Sequence, residues 1–178
     1  MFSHFLRRLV VGCLVLLFSA CASVSKAPSG FYSRSEKAHL YDIQAWRLDG
    51  RLAINSAKDS WSAHIEWDHH PSTEIIKLSG PLGQGAVVIE LKDGFVKIDR
   101  GHGNIQTSSQ PEQFINQQLG LFVPIQSLRY WAVGVPEPEQ DYQETIDGFV
   151  QDEWLIAYKE QQHTKNGAMP HKISISNE

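Results

Sequence analysis

The sequence predicts an α+β domain in which one strongly curved antiparallel sheet carries short helices on one face. Three observations support this fold class. Apolar and polar residues alternate with a period of two in several short segments from Trp46 onward. Turn-forming residues separate these segments. Two stretches with helical spacing follow residue 108 and interrupt the series of strands.

The folded part is predicted to begin with a short helix over residues 33–44. Ser33 and Glu36 have the spacing of a capping box, and apolar residues follow at helical intervals. The period then changes to two, which predicts a half-buried strand over 46–54 and a second strand over 61–68. A turn over 55–59 joins them, so we expect a hairpin.

Further elements follow in order. Four more strands are predicted between turn signals, over residues 74–79, 86–92, 95–99 and 104–108. Ser109 then opens a helix with Pro111 and Glu112 in its first turn and Gly120 just past its end, and a second helix begins after Pro124 and ends at Gly134. Beyond the second helix we expect a strand-turn-strand around Asp147-Gly148, a strand over 154–159, a polar loop over 160–167 and a last strand over 172–176.

The first twenty residues have the pattern of a secretory signal peptide. They carry two adjacent arginines and an apolar run over 9–18 that is too short to cross a membrane. The small pair Ser19-Ala20 directly precedes Cys21 and resembles the lipobox of bacterial lipoproteins, although Phe18 replaces the usual leucine. We therefore expect lipidation of Cys21. The alternative is an ordinary signal peptide with a chance cysteine at its end.

These features predict three parts: a cleaved signal peptide over 1–20, a lipidated flexible tether over 21–32 and one domain over 33–178. Ala22, rather than Asp, follows the lipidated cysteine, and by resemblance to the sorting rule of enteric bacteria this predicts the outer membrane, facing the periplasm. Cys13 leaves with the signal peptide, and no cysteine other than Cys21 remains. Disulfides and thiol catalysis are therefore excluded.

The charge of the mature chain excludes two classes of partner. Both signal-peptide arginines are lost, so 14 of the 16 basic residues remain beside all 20 acidic ones, and the net charge is −6. Nucleic acid requires a basic surface, and a polybasic membrane patch is excluded for the same reason. Membrane attachment must therefore depend on acyl chains.

Motifs for catalysis or metal binding are largely missing. There is no Gly-x-Ser-x-Gly elbow, so an esterase has no support, and we predict a protein that is not an enzyme and has no cofactor. His69-His70 beside Asp68 could suggest a metal site, but neighbouring side chains on an extended chain point apart, and a solvated turn is the simpler interpretation. The glycines of segment 80–85 precede a strand, not a helix, and do not form a phosphate-binding loop.

Two features stand out. Leu82, with Pro81 before it and Gly83 after it, is an aliphatic residue in a turn where polar residues are expected. It either folds back onto the core or projects into solvent. The chain also has five tryptophans, which lie mostly on apolar strand faces: Trp46, Trp61, Trp67, Trp131 and Trp154. They indicate either an ordinary core or a concave apolar surface that could bind lipid.

The mature chain resembles the LolB family of outer-membrane lipoproteins. The resemblance rests on residues that run in order along the chain: Gly50-Arg51, Trp61, Ala63, Trp67, Gly80-Pro81-Leu82-Gly83, Pro124, Leu128, Trp131, Gly134, Pro136, Trp154, Tyr158 and Met169-Pro170. It implies an incomplete, half-open β-barrel with about three short helices as a lid over an apolar cavity. Family members continue with a further strand, whereas this chain stops at Glu178, so we expect either an open sheet edge or impaired function.

The resemblance also implies a function and a set of site residues. A monomeric receptor would accept cargo lipoproteins from the periplasmic carrier LolA and insert them into the lipid of the outer membrane. Leu82, with Pro81 and Gly83, would be the membrane-insertion loop. The acyl chains would bind in a cavity lined by Leu48, Leu52, Ile65, Trp67, Ile89, Trp131 and Trp154. The alternatives are a structural envelope lipoprotein with a packed domain and a lipid-active enzyme, which would need a nucleophile and base beside the cavity.

Overall fold

The computed structural model describes residues 31–55, 60–80, 85–119 and 124–177. Within these ranges the chain forms a short 3-10 helix (Ala38–Asp42), ten strands and two α-helices. In chain order these elements are β1 (Trp46–Asn55), β2 (Ser60–His70), β3 (Thr73–Ser79), β4 (Val87–Lys92), β5 (Phe95–Asp99), β6 (Ile105–Ser108), α1 (Pro111–Leu119), α2 (Ile125–Val133), β7 (Tyr142–Glu144), β8 (Gly148–Gln151), β9 (Trp154–Thr164) and β10 (Gly167–Asn177).

The strands form two antiparallel sheets. The first sheet has the order β1-β2-β3-β4-β5-β6, and the second has the order β10-β9-β8-β7. The α+β class is confirmed, but the prediction of one continuous curved sheet is wrong. Both α-helices lie between β6 and β7 in the chain, and the strands of the described segments form no closed or curled barrel. The chain therefore starts a new sheet after the helices.

The first sheet is a meander whose alternation matches its burial. On β3, Ile76 and Leu78 are buried whereas Lys77 between them is exposed. The predicted hairpin of β1 and β2 is confirmed, with Leu48 opposite Trp67. Apolar residues on one face are packed against the helices because each sheet must cover its apolar side.

Helix α2 begins and ends where the sequence predicts. Pro124 precedes it, and Gly134 ends it with a left-handed backbone of φ 111°. The Gly134 N–H donates to the carbonyl of Tyr130 at 3.1 Å, a closure that favours glycine because an L side chain is strained in this conformation. In the described part of the chain, no helix is long and apolar enough to span a membrane.

The first predicted helix is shorter than expected. Only Ala38–Asp42 is helical, as a 3-10 helix, and the capping box does not form because Ser33 Oγ is hydrogen-bonded to Ser35 Oγ. Two contacts of Arg34, one with the distant Glu144 and one with the nearby Tyr41, explain the difference. The backbone N–H of Arg34 donates to Glu144 at 2.8 Å, and its Nε donates to the hydroxyl of Tyr41 at 3.0 Å. These bonds favour a turn over the helix that local propensity predicts.

The polar loop predicted over 160–167 is also wrong. Strands β9 and β10 continue through this region as a long hairpin, with Gly167 opposite Thr164. Residues 160–164 of β9 are polar on both faces of the strand, so this segment has no apolar stripe and its period of two is hidden. A register shift follows Pro170, which has no N–H for the ladder.

Close packing at Gly148 generates a stability prediction. A Cβ added at this residue would overlap the backbone carbonyl oxygen of Ile156 on β9, whereas a Cβ added at Gly50 on β1 meets nothing within 4 Å. We expect Gly148→Ala to lower the free energy of unfolding by at least about 1 to 3 kcal/mol, since the backbone must move. Urea unfolding of this variant beside Gly50→Ala checks this. Equal free energies of unfolding for the two variants would contradict the close contact between Gly148 and Ile156.

Candidate functional site

The inner face of the first sheet carries most of the predicted cavity residues. We define it by Leu48, Trp67, Ile76 and Ile89, which lie opposite one another across β1 to β4. Helices α1 and α2 cover part of this face, through Ile115 and residues of α2 that belong to the same cluster. Five of the predicted cavity residues are brought together here: Leu48, Leu52, Ile65, Trp67 and Ile89.

Burial changes across the inner face. Ile89 and Trp67 are buried, with 2% and 4% of their surface exposed. Leu48, Leu52 and Ile65, which lie nearer the β1 edge, are only half-buried. The apolar surface is therefore closed around Trp67 and over β3 to β5, and it is incompletely covered at Leu48, Leu52 and Ile65.

The remaining two predicted cavity residues pack elsewhere. Trp131 of α2 is fully buried against the second sheet, in a cluster with Phe149, Ile156 and Tyr158. Trp154 is half-buried beside it, with the two ring centroids 6.2 Å apart. The two groups of predicted residues are linked through α2, because Leu128 packs against both clusters.

Polar contacts fix the position of Trp131. Its indole N–H donates to the side-chain oxygen of Gln151 at 2.9 Å, and its carbonyl accepts from the hydroxyl of Tyr158 at 3.0 Å. Gln151 is itself buried and exchanges hydrogen bonds with the backbone of Glu137. Burial raises the pKa of Tyr158, which therefore stays a neutral hydrogen-bond donor. Trp131 is thus held in place and is not a mobile gate.

A buried charge lies at one end of the inner face. Glu74 on β3 is 4% exposed and accepts a hydrogen bond from the indole N–H of Trp67 at 3.0 Å. The other carboxylate oxygen of Glu74 lies 2.5 Å from the guanidinium nitrogen Nη2 of Arg129, on α2. His69 Nδ1 lies 3.3 Å from Glu74, and its ring stacks on Trp46. This Glu74–Arg129 pair joins the first sheet to α2.

The ionised form of Glu74 is favoured despite its burial. Burial by itself would raise its pKa, but His69 and Arg129 together outweigh that effect and hold the pKa below its ordinary value. Among the described residues, Arg129 Nε and His69 Nδ1 are buried without a hydrogen-bond partner. The pair is therefore charged but incompletely satisfied, which is costly in an apolar interior.

The Glu74–Arg129 pair was not predicted from the sequence. Glu74 lies on the same face of β3 as the buried Ile76 and Leu78. An acidic residue at a position where the alternation predicts an apolar one could have indicated a buried charge. Arg129 follows Leu128 on the covered side of α2 and is the matching base. Such a signal indicates burial of a charge but not the identity of its partner.

Other predicted site residues can be placed as follows. Cys21, Pro81, Leu82 and Gly83 lie outside the described residues. His69 faces Glu74 whereas its neighbour His70 is exposed, and the described part of the chain contains no group of three or more residues that could hold a metal ion. A cleft of about 340 Å³ lies between the 3-10 helix and the turn after β9, and it contains none of the predicted site residues.

Residues 44–178 match the protein family described as outer membrane lipoprotein LolB. The chain belongs to the LolB family. Among its relatives, the outer-membrane lipoprotein LolB of Pseudomonas fluorescens (strain Pf0-1) is 28% identical, over 96% of this chain and 89% of the relative. That of Chromohalobacter salexigens is 31% identical, over 92% of this chain and 80% of the relative. That of Pseudomonas aeruginosa (strain LESB58) is 30% identical, over 80% of this chain and 72% of the relative.

LolB family membership confirms the resemblance seen in the sequence. It places the chain among outer-membrane lipoproteins of lipoprotein localisation, and it identifies a non-enzymatic lipoprotein receptor, as predicted.

The Glu74–Arg129 pair generates a prediction about pH. The folded pKa of Glu74 lies below its ordinary 4.5, so its stabilising contribution is present above about pH 4.5 and is lost as the pH falls through the folded value. We expect Glu74→Gln to lower the free energy of unfolding by about 1 to 3 kcal/mol at pH 7, because Arg129 loses its charged partner. The deficit should shrink in acid.

Urea unfolding at several pH values measures this difference. Glu66→Gln is the matched control, because Glu66 forms an ion pair with the half-exposed Arg47 at 2.7 Å on the other side of the sheet. Its effect should stay below about 1 kcal/mol. A Glu74→Gln deficit that does not change with pH would show that Glu74 is not ionised in the folded protein.

Proposed function

We propose that this LolB family protein accepts the acyl chains of cargo lipoproteins from the periplasmic carrier LolA and releases them to the outer membrane. The observation that carries the proposal is the incomplete cover of the inner face. Leu48, Leu52 and Ile65 stay half-buried although they adjoin a closed core. Apolar residues in such a position provide a surface that an acyl chain can cover.

The acyl site in this proposal lies between the first sheet and the helices. Phe114 of α1 and Leu128 of α2 are both partly buried against the inner face and form the helical side of the site. Trp154, which is half-buried against the cluster of the second sheet, extends the apolar wall in that direction, and the fully buried Trp131 supports it from behind. The Glu74–Arg129 pair bounds the site at one end.

Transfer through this site would follow a gradient of affinity. The sequence has no nucleotide-binding motif, so the acyl chains must bind here more favourably than in the carrier, and more favourably still in the bilayer. Each tenfold step in affinity corresponds to about 1.4 kcal/mol. A site with half-buried walls suits an intermediate step, because part of the acyl chain stays near solvent and can leave.

Two further parts of the proposal fall on residues outside the described ranges. Lipidated Cys21 anchors the protein, because several acyl chains give effectively permanent attachment. Leu82, in the Pro81-Leu82-Gly83 turn, contacts the bilayer during delivery. In this proposal the acyl site receives cargo and the turn delivers it, so the two activities can be separated by substitution.

Substitution of Leu52 tests the acyl site. We expect Leu52→Asp, in a soluble chain beginning at Ala22, to abolish binding of a fluorescent fatty acid, since a carboxylate opposes an acyl chain at this wall. The matched control is Ile105→Asp, because Ile105 lies on the opposite face of the same sheet and is 51% exposed. Titration of probe emission and of tryptophan emission measures binding. A parent chain that binds no probe would favour a packed structural lipoprotein instead.

Substitution of Leu82 tests delivery. We expect Leu82→Glu to accept lipoprotein from the carrier normally but to deliver less of it to liposomes, because an ionised carboxylate is strongly opposed in hydrocarbon. Folding should barely change. If Leu82 were instead a core residue, the variant would lose about 2 to 5 kcal/mol of stability. A thermal melt beside the two-step transfer assay separates these outcomes, and normal delivery by a folded variant would refute the role of the turn.

A further inference from the structure

Two large apolar side chains project into solvent where the chain enters the domain. Phe31 is 80% exposed and Ile146 is 70% exposed. They belong to neighbouring backbone segments, because the N–H of Tyr32 donates to the carbonyl of Ile146 at 3.0 Å. An isoleucine at the tip of a strand-to-strand turn is unusual, since polar residues normally occupy such turns. We call Phe31 and Ile146 the entry patch.

Buried contacts of the neighbouring residues fix the backbone that carries the entry patch. Tyr32 is 7% exposed, stacks on Tyr158 and donates its hydroxyl hydrogen to the carbonyl of Gly134 at 3.1 Å. The turn that carries Ile146 is fixed as well, because the N–H of Thr145 donates to the carbonyl of Gly148 at 2.8 Å. Neither apolar side chain can therefore fold into the core without breaking these contacts.

Acidic residues beside the entry patch are already partnered. Asp147 is paired with Lys159 at 2.5 Å, and Glu144 accepts the backbone N–H of Arg34 at 2.8 Å. Lys159 thus partly offsets the charge of Asp147, and the backbone N–H satisfies one oxygen of Glu144. An apolar surface whose nearest carboxylates are ion-paired or hydrogen-bonded can approach a bilayer with less desolvation cost than a surface with bare acids.

The position of the patch along the chain identifies its partner. Phe31 lies ten residues after Cys21, so a fully extended connection spans at most about 36 Å. We propose that the entry patch contacts the phospholipid bilayer in which the lipid anchor is inserted, and that it fixes which face of the domain lies against the membrane. This inference rests on the proposed anchoring at Cys21. It assigns membrane contact to residues other than Pro81, Leu82 and Gly83.

Fluorescence quenching by brominated lipid tests the proposal. The lipidated full chain, carrying Ile146→Cys labelled with an NBD fluorophore, is reconstituted into vesicles of phosphatidylethanolamine and phosphatidylglycerol with bromine on the acyl chains. We expect loss of emission at position 146 relative to unbrominated vesicles. Phe95→Cys is the matched control, because Phe95 is also an exposed apolar residue, at 60%, but lies on the first sheet. Its emission should not change.

A second variant separates the patch from the label. Phe31→Ser in the Ile146→Cys background should reduce the quenching while the protein still floats with the vesicles, because the acyl anchor is unaffected. Unchanged emission at position 146 in a floating protein, or equal quenching at positions 146 and 95, would overturn the inference. So would sedimentation as a dimer in detergent with no quenching in vesicles, because a second copy would then cover the patch. Protein that fails to float at all would instead overturn the anchoring at Cys21.

Discussion

Helix α2 must bury side chains against two sheets that share no strand pairing in the described chain, and most of the structure depends on this one requirement. Leu128 contacts the clusters of both sheets, Trp131 is buried against the second, and Val133 packs against the 3-10 helix through Leu40. A nine-residue helix gains little stability from its own backbone, so these contacts hold it in place. The three apolar clusters are therefore coupled through a single short element.

The polar contacts of α2 differ in kind on its two sides. Towards the second sheet, Trp131 is held by two neutral hydrogen bonds: its indole N–H donates to Gln151, and its carbonyl accepts from the hydroxyl of Tyr158. Towards the first sheet, Arg129 meets a buried carboxylate with one donor left unpaired. Complete hydrogen bonding gives rigidity, whereas an incompletely satisfied ion pair gives less net stability than its distance suggests. The helix is thus attached more firmly to the second sheet than to the first.

Local pattern predicted the elements whose cause is local. The hairpin of β1 and β2 follows from alternation, and the ends of α2 follow from Pro124 and Gly134, since each residue acts on its own backbone. Division into two sheets could not be predicted in this way, because alternation does not specify which distant strands pair. The same limit applies to the candidate site. Five predicted residues gather on one face, but Trp131 and Trp154 belong to another cluster because helix orientation depends on tertiary contacts.

The neighbour-to-neighbour order of the first sheet has a consequence for how the chain folds. Each of its strands pairs with the strand that precedes it in sequence, so the whole sheet closes only short loops and can form early. Helix α2, which covers the inner face, comes later in the chain, and the second sheet that holds α2 comes later still. During folding from the N-terminus, the sheet therefore presents its apolar side to solvent before its cover arrives. A chain that folds in this order is open to aggregation until α2 covers the sheet, because exposed apolar surface and unpaired strand edges associate readily.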